Sequence, residues 1–406
     1  MSDAPPPRDP LRALRQPLLP PGARSRTALG LAVAAAEGKF MLQVCASCGA
    51  AQYPPREAFV TCLDIRLPWR TVPDGGTAIA ATTVRVTADP YFRSRTPWRI
   101  GTIRLDCGPS VVAHLHAAVQ PEQRVRMILR LDKSGQGVML ALPATETVEE
   151  DAILRELSCD PRGRRVLVTD VRNAFGQAML RAFVEAGART VFAGVADPWL
   201  PFPGQDRLGG DAVEIVPLDI TDAESVHVFA ATFGGRVDIV VNTALHIRPG
   251  GVLDRADKVT AHAEMEAAYF GPLRLAQALG PALRARGAEG THPACAWVNF
   301  LSIYALAPLP AFGASAAAQA AGLSLAQSLR AGLRPLQVVN ALVGPLDDEW
   351  HQAVPPPKVT PAALAAAAVL ALREGIEDLA VGDIAQDLLE RWKDSPSLLA
   401  RELAAD

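Results

Sequence analysis

Tyrosine is scarce in this 406-residue sequence, with four in all, and lysine is nearly as rare. Neither occurs between Ala305 and Val354, so that span offers no phenol or amine for proton transfer. Six cysteines in a chain of this size are too few for a disulfide framework. Long apolar runs are missing as well. The longest, such as Ala362 to Leu372, fall far short of the roughly 20 residues that cross a bilayer. The formal net charge of -3 provides no global basic field to attract nucleic acid or an anionic membrane. Asp3 and clustered prolines stand where a signal peptide would have a basic stretch and an apolar core. These absences lead us to expect a soluble, cytoplasmic protein without nucleic-acid or membrane partners.

What is present suggests four segments. Residues 1–25 form a Pro-rich arm expected to lack a fixed fold by itself. Residues 26–145 open with a short apolar helix, Ala28 to Ala36, ending near Gly38. They continue as short strands (Thr77–Val86, Arg99–Leu105, Ser110–His116, Val125–Leu131) at the spacing of a small β-barrel. A charged, helix-prone linker follows over 146–162. From 163 to 406 strands alternate with long amphipathic helices, which predicts an α/β, doubly wound parallel sheet.

The first domain carries the knuckle Cys45-Ala-Ser-Cys48-Gly49, a tight turn that points two thiolates at one zinc ion. A second knuckle is due about a dozen residues on, and the sequence there reads Phe59-Val-Thr-Cys62. Cys45, Cys48 and Cys62 supply three ligands, and Phe59 stands at the fourth position. Either zinc is held by the three cysteines and an outside donor, or the ribbon packs around Phe59 without metal. Closed structural sites seldom tolerate a missing ligand, which favours the second. With Ala36-Glu37-Gly38, Tyr53-Pro54-Pro55-Arg56, Leu67-Pro68-Trp69 and the Gly75-Gly76 turn, the segment resembles the zinc-ribbon/OB-fold family often called DUF35. The resemblance implies a rubredoxin-like zinc ribbon followed by an OB-fold barrel, and partners among thiolase-like acyl-CoA enzymes. Tyr91-Phe92-Arg93 and Trp98-Arg99 interleave rings with cations as base-stacking surfaces do, but the net negative charge favours a hairpin whose rings cover the barrel, or contact with a CoA ester or a partner protein. His114 and His116 share a strand face with no Asp, Glu or Cys near them in sequence, as ordinary strand histidines do.

In the second domain, Arg165-Val-Leu-Val-Thr169 reads as a buried strand entering a turn and a helix. A dinucleotide fold places a glycine-rich turn here so that backbone amides approach the pyrophosphate. The turn instead reads Thr169-Asp-Val-Arg-Asn-Ala-Phe-Gly176, with only the last glycine present. Leu218-Asp219-Ile-Thr221-Asp222, Asp238-Ile-Val-Val-Asn242, Val298-Asn-Phe-Leu-Ser302 and Val343-Gly344-Pro345 follow in order. From residue 163 to about 400 the sequence resembles the short-chain dehydrogenase/reductase (SDR) family. The resemblance implies that Asp219 would hold the adenine edge and that Asn242 would steady the central strand. Thr169, Arg172 and Gly176 would be what remains of the cofactor loop.

The family's working residues are missing by the same comparison. Asp170 and Ala174 take two glycine positions, and Leu245 intrudes where the cofactor needs room. Ala268 falls on the catalytic Asn, Phe312 on the Tyr and Ala316 on the Lys, leaving Ser302 alone. Tyr304, two residues beyond Ser302, could be a displaced acid, but no Lys is in reach by sequence to tune it, which argues against that role. Asp170 beside a pyrophosphate is repelled by roughly 4 kcal/mol at about 4 Å and an effective dielectric near 20, unless Arg172 compensates. Alternatively Asp170 or Asn173 caps the helix amides that a phosphate would otherwise satisfy.

Hydride transfer by the family's usual route is therefore not expected, and neither is a resident cofactor. The leading expectation is a pseudo-SDR scaffold or regulatory subunit. It would assemble as a homo- or hetero-oligomer, with an active SDR subunit and a thiolase-like enzyme, in acyl-CoA metabolism of the β-oxidation type. Its long helices, Lys258–Arg286 and the Ala-rich Ala314–Leu333, are suited to that pairing. The alternatives are an NADP-dependent oxidoreductase on a CoA-linked ketone or alcohol, using Arg172 and atypical catalytic residues, and a nucleotide- or CoA-binding sensor.

Overall fold

A computed structural model describes residues 18–404 apart from 23, 146, 147, 149, 255–257 and 289–294. Most of the 1–25 arm thus lies outside the described residues. Helix α1 (Leu29–Ala36) buries Leu31, Ala34, Ala35 and Ala36. It leads into a three-stranded ribbon of β1 (Met41–Val44), β2 (Ala51–Gln52) and β3 (Trp69–Thr71), ordered β2-β1-β3. A closed barrel follows, built from β4 (Gly75–Val84), β5 (Trp98–Leu105), β6 (Ser110–Leu115), β7 (Arg124–Leu131) and β8 (Gly137–Pro143). Alternate residues such as Ile103, Leu105, Val111, Ala113 and Leu115 fill its interior, as the two-residue period of a strand requires.

The ring-and-cation hairpin is turned inward. Between β4 and β5, helix α2 (Pro90–Arg93) is N-capped by Asp89 and buries Tyr91. The Tyr91 hydroxyl donates to Glu156 at 2.5 Å, and the Arg95 guanidinium lies 3.8 Å above its ring. Arg99 is spent on the carbonyls of His116, Ala117 and Val119. Trp98 Nε1 donates to His114 Nδ1 at 2.9 Å, and burial pushes the His114 pKa down to about 4. His116 faces Asp151 at 3.8 Å.

The expected linker is less loose than its charge suggests. Helix α3 (Ala152–Glu156) is N-capped by Asp151, and Ile153 and Leu157 pack with Trp98, Ile128, Leu140 and Leu142 on the outside of the barrel. A few apolar residues inside a charged stretch were enough to dock it.

The second domain contains β9 (Arg165–Val168), α4 (Ala174–Glu185), β10 (Thr190–Val195), β11 (Val213–Pro217), α5 (Ala223–Phe233) and β12 (Ile239–Asn242). It continues with α6 (Val259–Met265), α7 (Gly271–Ala288), β13 (Ala296–Ser302), α8 (Gly313–Gly332) and β14 (Gln337–Val343). It ends with α9 (Pro361–Arg373), β15 (Asp378–Val381), α10 (Asp383–Asp394) and α11 (Pro396–Leu403). Its seven strands are all parallel, in the order β11-β10-β9-β12-β13-β14-β15. Strand order reverses between β9 and β12, and open sheets of this kind present a crevice at that switch point. One face is buried beneath α4 and α9, the other beneath α5 and α7.

The long helix expected from Lys258 to Arg286 is interrupted by a π-helical turn over Glu266–Phe270, where the Gly271 N–H reaches Glu266. Pro272 has no N–H to give an ordinary i−4 partner, so the ladder slips by one residue there.

The barrel leans on the dehydrogenase-like sheet at the ends of α9 and β15. Glu377 N–H donates to Ala36 at 2.9 Å, Lys393 pairs with Glu37 at 2.6 Å, and Arg130 pairs with Glu374.

An ion cluster ties β9, β12 and α7. Asp238 accepts from the Arg165 backbone and side chain at 3.0–3.1 Å and from Arg286 at 2.8 Å. Burial alone would raise the Asp238 pKa, but these hydrogen bonds outweigh it and hold it below the ordinary value. Asp238→Ala leaves two partly exposed cations without their carboxylate and is expected to cost about 1.5–3 kcal/mol, read as a lower denaturant midpoint. Because the folded pKa is depressed, Asp238's contribution is complete above its unfolded pKa. It is lost as pH falls through the lowered folded value, and the alanine variant lacks that acid limb.

Candidate functional site

The zinc-ribbon cysteines meet. Cys45 Sγ lies 3.4 Å from Cys62 Sγ, Cys62 Sγ lies 4.0 Å from Cys48 Sγ, and all three fall within 4.8 Å of one another. Two turns of matching backbone geometry hold them. Cys45 N–H donates to Ala50 and Gly49 N–H to Cys45; fourteen residues on, Phe59 N–H donates to Asp64 and Leu63 N–H to Phe59. Phe59 therefore occupies the place of Cys45 in the second knuckle, and its buried ring stands where a fourth thiolate would.

Burial raises the Cys45 pKa, but backbone N–H groups of Cys48 and Ser47 and the nearby thiols bring it net below its ordinary value. The Asp64 N–H favours the Cys62 thiolate, yet the Cys45 sulfur, burial and Cys48 leave that thiol raised. Asp64 comes within 3.9 Å of Cys45, but it is tied to Ser47 at 2.5 Å and to Arg66, which hold its carboxyl well below the usual range. Among the described residues the convergent donors are the three cysteines, which fit three of the four positions of a tetrahedral zinc site.

The second knuckle also carries strain. Leu63 takes φ 60° where its counterpart Gly49 takes φ 73°, and a side chain in this region costs about 1–2 kcal/mol. Leu63→Gly is expected to raise stability by about 1 kcal/mol after allowing for the looser unfolded chain; a drop in melting temperature would contradict this.

At the switch point, Thr169 and Thr243 stitch the loop after β9 to the end of β12. Thr169 Oγ1 donates to Asn242 Oδ1 at 3.1 Å and accepts from Thr243 N–H at 2.9 Å, and Asp170 N–H donates to Thr243 Oγ1 at 2.9 Å. Asn242 thereby joins the ends of β9 and β12 through Thr169. Asn173, rather than Asp170, caps α4 by accepting the Gly176 N–H at 2.8 Å. Asp170 accepts from the Arg172 N–H and guanidinium at 2.8–3.0 Å. The two charges cancel, and Arg172 is occupied. Gly176 survives for packing, since a Cβ there would come 1.9 Å from the Asp170 carbonyl oxygen. Asp219 accepts from the Thr221 backbone and hydroxyl at 2.7–2.8 Å, closing its own turn.

A cleft of about 860 Å³ opens between the α4 N-terminus, the 203–207 loop and the 346–350 loop. Its inner end, beside Ser302, narrows to about 30 Å³. Phe175, Leu245, Ile247 and Leu346 line both compartments, and Phe175 stands edge-on to Phe300 at 4.9 Å. Ligand pockets span roughly 300–1,000 Å³, whereas about 10–15 Å³ admits a water. The inner end therefore has space for one small polar group. Ser302 caps the turn that follows β13, accepting the Tyr304 N–H at 3.2 Å, while its own N–H donates to the buried Gln319 at 3.1 Å.

Phe312 is buried in a stack, 6.0 Å from the Tyr304 ring and 5.3 Å from the His351 ring. Burial raises the Tyr304 pKa, which removes it further from an acid's role. Ala316 is buried on α8, and Ala268 lies on the π-helical turn.

Residues 164–353 match the family model described as short chain dehydrogenase. A short chain dehydrogenase from Burkholderia cenocepacia J2315, solved with NADP, is 32% identical with a TM-score of 0.52, covering 60% of this chain and 99% of that one. The chain belongs to the short-chain dehydrogenase family. A short-chain dehydrogenase from Streptomyces avermitilis is 27% identical with a TM-score of 0.50, covering 60% of this chain and 96% of that one. A Drosophila melanogaster protein described as dehydrogenase/reductase SDR family protein 7-like is 26% identical over 197 residues, 45% of this chain and 56% of that protein. The chain thus spans little more than half the length of that relative. Ahead of the dehydrogenase domain, residues 32–64 match the ChsH2 rubredoxin-like zinc ribbon and 69–130 the ChsH2 C-terminal OB-fold domain. Among the described residues no helix is long and apolar enough to cross a membrane.

Two polar residues went unnoticed in the sequence. Asp348 Oδ1 accepts the N–H groups of Trp350 and His351 at 2.9 and 3.0 Å and meets His351 Nδ1 at 2.7 Å. His351 is buried and lines the narrow end of the cleft with Ser302 and Gln319. The only signal in the sequence was an Asp-x-x-His spacing shortly after Val343-Gly344-Pro345.

Proposed function

We propose that this chain is a non-catalytic member of its family, a pseudo-SDR subunit retained for its surfaces. The observation that carries this reading is the reaction centre. The compartment beside Ser302, bounded by Phe175, Leu245, Ile247 and Leu346, holds only about 30 Å³, and among the described residues no phenol–amine pair stands beside Ser302. The ribbon and barrel would dock on a thiolase-like acyl-CoA enzyme. The dehydrogenase domain would pair through α7 and α8 with itself or with an active relative. Ala317 and Ala320 are exposed on α8, and small side chains permit close helix approach. Native mass spectrometry of the complex purified from its source should find a thiolase-like or dehydrogenase subunit bound; the free chain alone would refute the reading.

The alternative reading is an NADP-dependent oxidoreductase, favoured by the NADP in the Burkholderia relative. Reduction of a CoA-linked ketone by NADPH with the purified chain would establish it.

A further inference from the structure

We propose that the ribbon is closed by a reversible disulfide centred on Cys62, a modification that takes the place of a complete metal site. The donor set does not complete a tetrahedral zinc centre. Phe59 fills the fourth side with a buried ring, and Asp64, which approaches Cys45, is held by Ser47 and Arg66. Among the described residues zinc finds no fourth ligand there. Two thiols, by contrast, need only each other. Cys45 Sγ and Cys62 Sγ stand 3.4 Å apart, and small side-chain rotations bring such a pair to the roughly 2.0 Å of a disulfide.

Burial sets the order of events. Cys45 is buried, whereas Cys48 and Cys62 are exposed, so a low-molecular-weight disulfide reaches Cys62 before Cys45. The Cys62 thiolate attacks one sulfur of that oxidant, forming a mixed disulfide and expelling one small thiolate. The Cys45 thiolate then attacks the Cys62 sulfur. The Cys45–Cys62 bond forms and the second small thiolate leaves. Two protein thiols have given up two electrons and two protons, and the oxidant has become two thiols.

Cys48 provides the way back. Its Sγ lies 4.0 Å from Cys62 Sγ, so its thiolate can attack the Cys62 sulfur, free Cys45 and move the bond to the exposed pair. There an external thiol reduces it. The other three cysteines, Cys107, Cys159 and Cys295, lie outside the cluster. The bond from Cys45 joins the two knuckles across 17 residues of chain. The second knuckle exposes Val60, Leu63 and Ile65, so oxidation fixes that apolar edge and reduction releases it.

The test uses the full chain, reduced and stripped of metal by a chelator, in a mildly alkaline glutathione buffer rich in glutathione disulfide. The thiol count should fall from six by two, and peptide mapping should place the bond at Cys62, with Cys45 or Cys48 as its partner. The internal bond should exceed the glutathione adduct by at least about 10-fold, because its second thiol attacks from within the same site. One equivalent of zinc should leave the yield unchanged. Cys62→Ser should keep all its remaining thiols reduced, and Cys107→Ser should lose the same two as the unmodified chain. In the unmodified chain, a count that stays at six, glutathione adducts alone, a bond confined to Cys45 and Cys48, or full protection by zinc would overturn the proposal.

Discussion

Replacing Phe59 by cysteine is expected to give the ribbon a four-thiolate zinc site that binds one ion at least about 100-fold more tightly than the unmodified chain. The backbone is already in place. The second knuckle repeats the hydrogen bonds of the first, so a thiol at position 59 enters at the symmetric counterpart of Cys45, beside three sulfurs that already lie within 4.8 Å of one another. Stability should move in opposite directions with and without metal. Removing a buried aromatic ring costs about 3–5 kcal/mol, so the metal-free variant should melt earlier than the parent. Zinc binds only the folded ribbon and should more than restore it. Elemental analysis gives the stoichiometry, and the thiolate charge-transfer band of the cobalt form reports the ligand set. An affinity equal to that of the parent would show that the second knuckle does not aim position 59 at the cluster.

Placing a phenol and an amine at the positions where the resemblance expects them should, by contrast, change nothing. Phe312→Tyr with Ala316→Lys is expected to show no NADPH oxidation above background, because both positions are buried and the adjoining space is about 30 Å³. A new phenol there has no nicotinamide to serve. Adding Leu245→Gly and Asp170→Gly addresses the two remaining obstacles. The first removes a branched side chain shared by the narrow and wide compartments. The second frees Arg172 from its carboxylate partner and turns a cancelled pair into a net positive group at the α4 N-terminus. Two unit charges about 4 Å apart at a dielectric near 20 interact by roughly 4 kcal/mol, and exposure of Arg172 reduces this, so NADPH affinity should rise by about 10- to 100-fold. Fluorescence titration of NADPH against the double and quadruple variants checks both statements. Turnover by the double variant would mean that the pocket opens far more readily than its packing indicates.

The architecture could be read from the sequence because its signals are local. Alternating residues in Ile103, Leu105 and Val111 marked barrel strands, and the apolar runs at Arg165–Thr169 and Asp238–Asn242 marked buried parallel strands, each within a few residues of the observed bounds. Asp170, Leu245, Ala268, Phe312 and Ala316 could likewise be read, one position at a time, as departures from the pattern the sequence resembles. Which of two local acceptors caps α4 was not visible. Asp170 and Asn173 are chemically equivalent on paper, and only the turn's geometry gives the Gly176 N–H to Asn173 and leaves Asp170 to Arg172.

The chain by itself therefore determined its two folds, the absence of a phenol or amine between Ala305 and Val354, and a ribbon with three thiols, because each is written in residue type and spacing. The tertiary structure decided what those losses left behind. It brought Phe175, Leu245 and Leu346, from three distant segments, together around the narrow compartment, and it set His351 on the same compartment as Ser302 across 49 residues. Contacts of that kind arise where strand ends and loops converge at the edge of a sheet. Their distances are fixed by packing between elements, which no period or motif along the chain records.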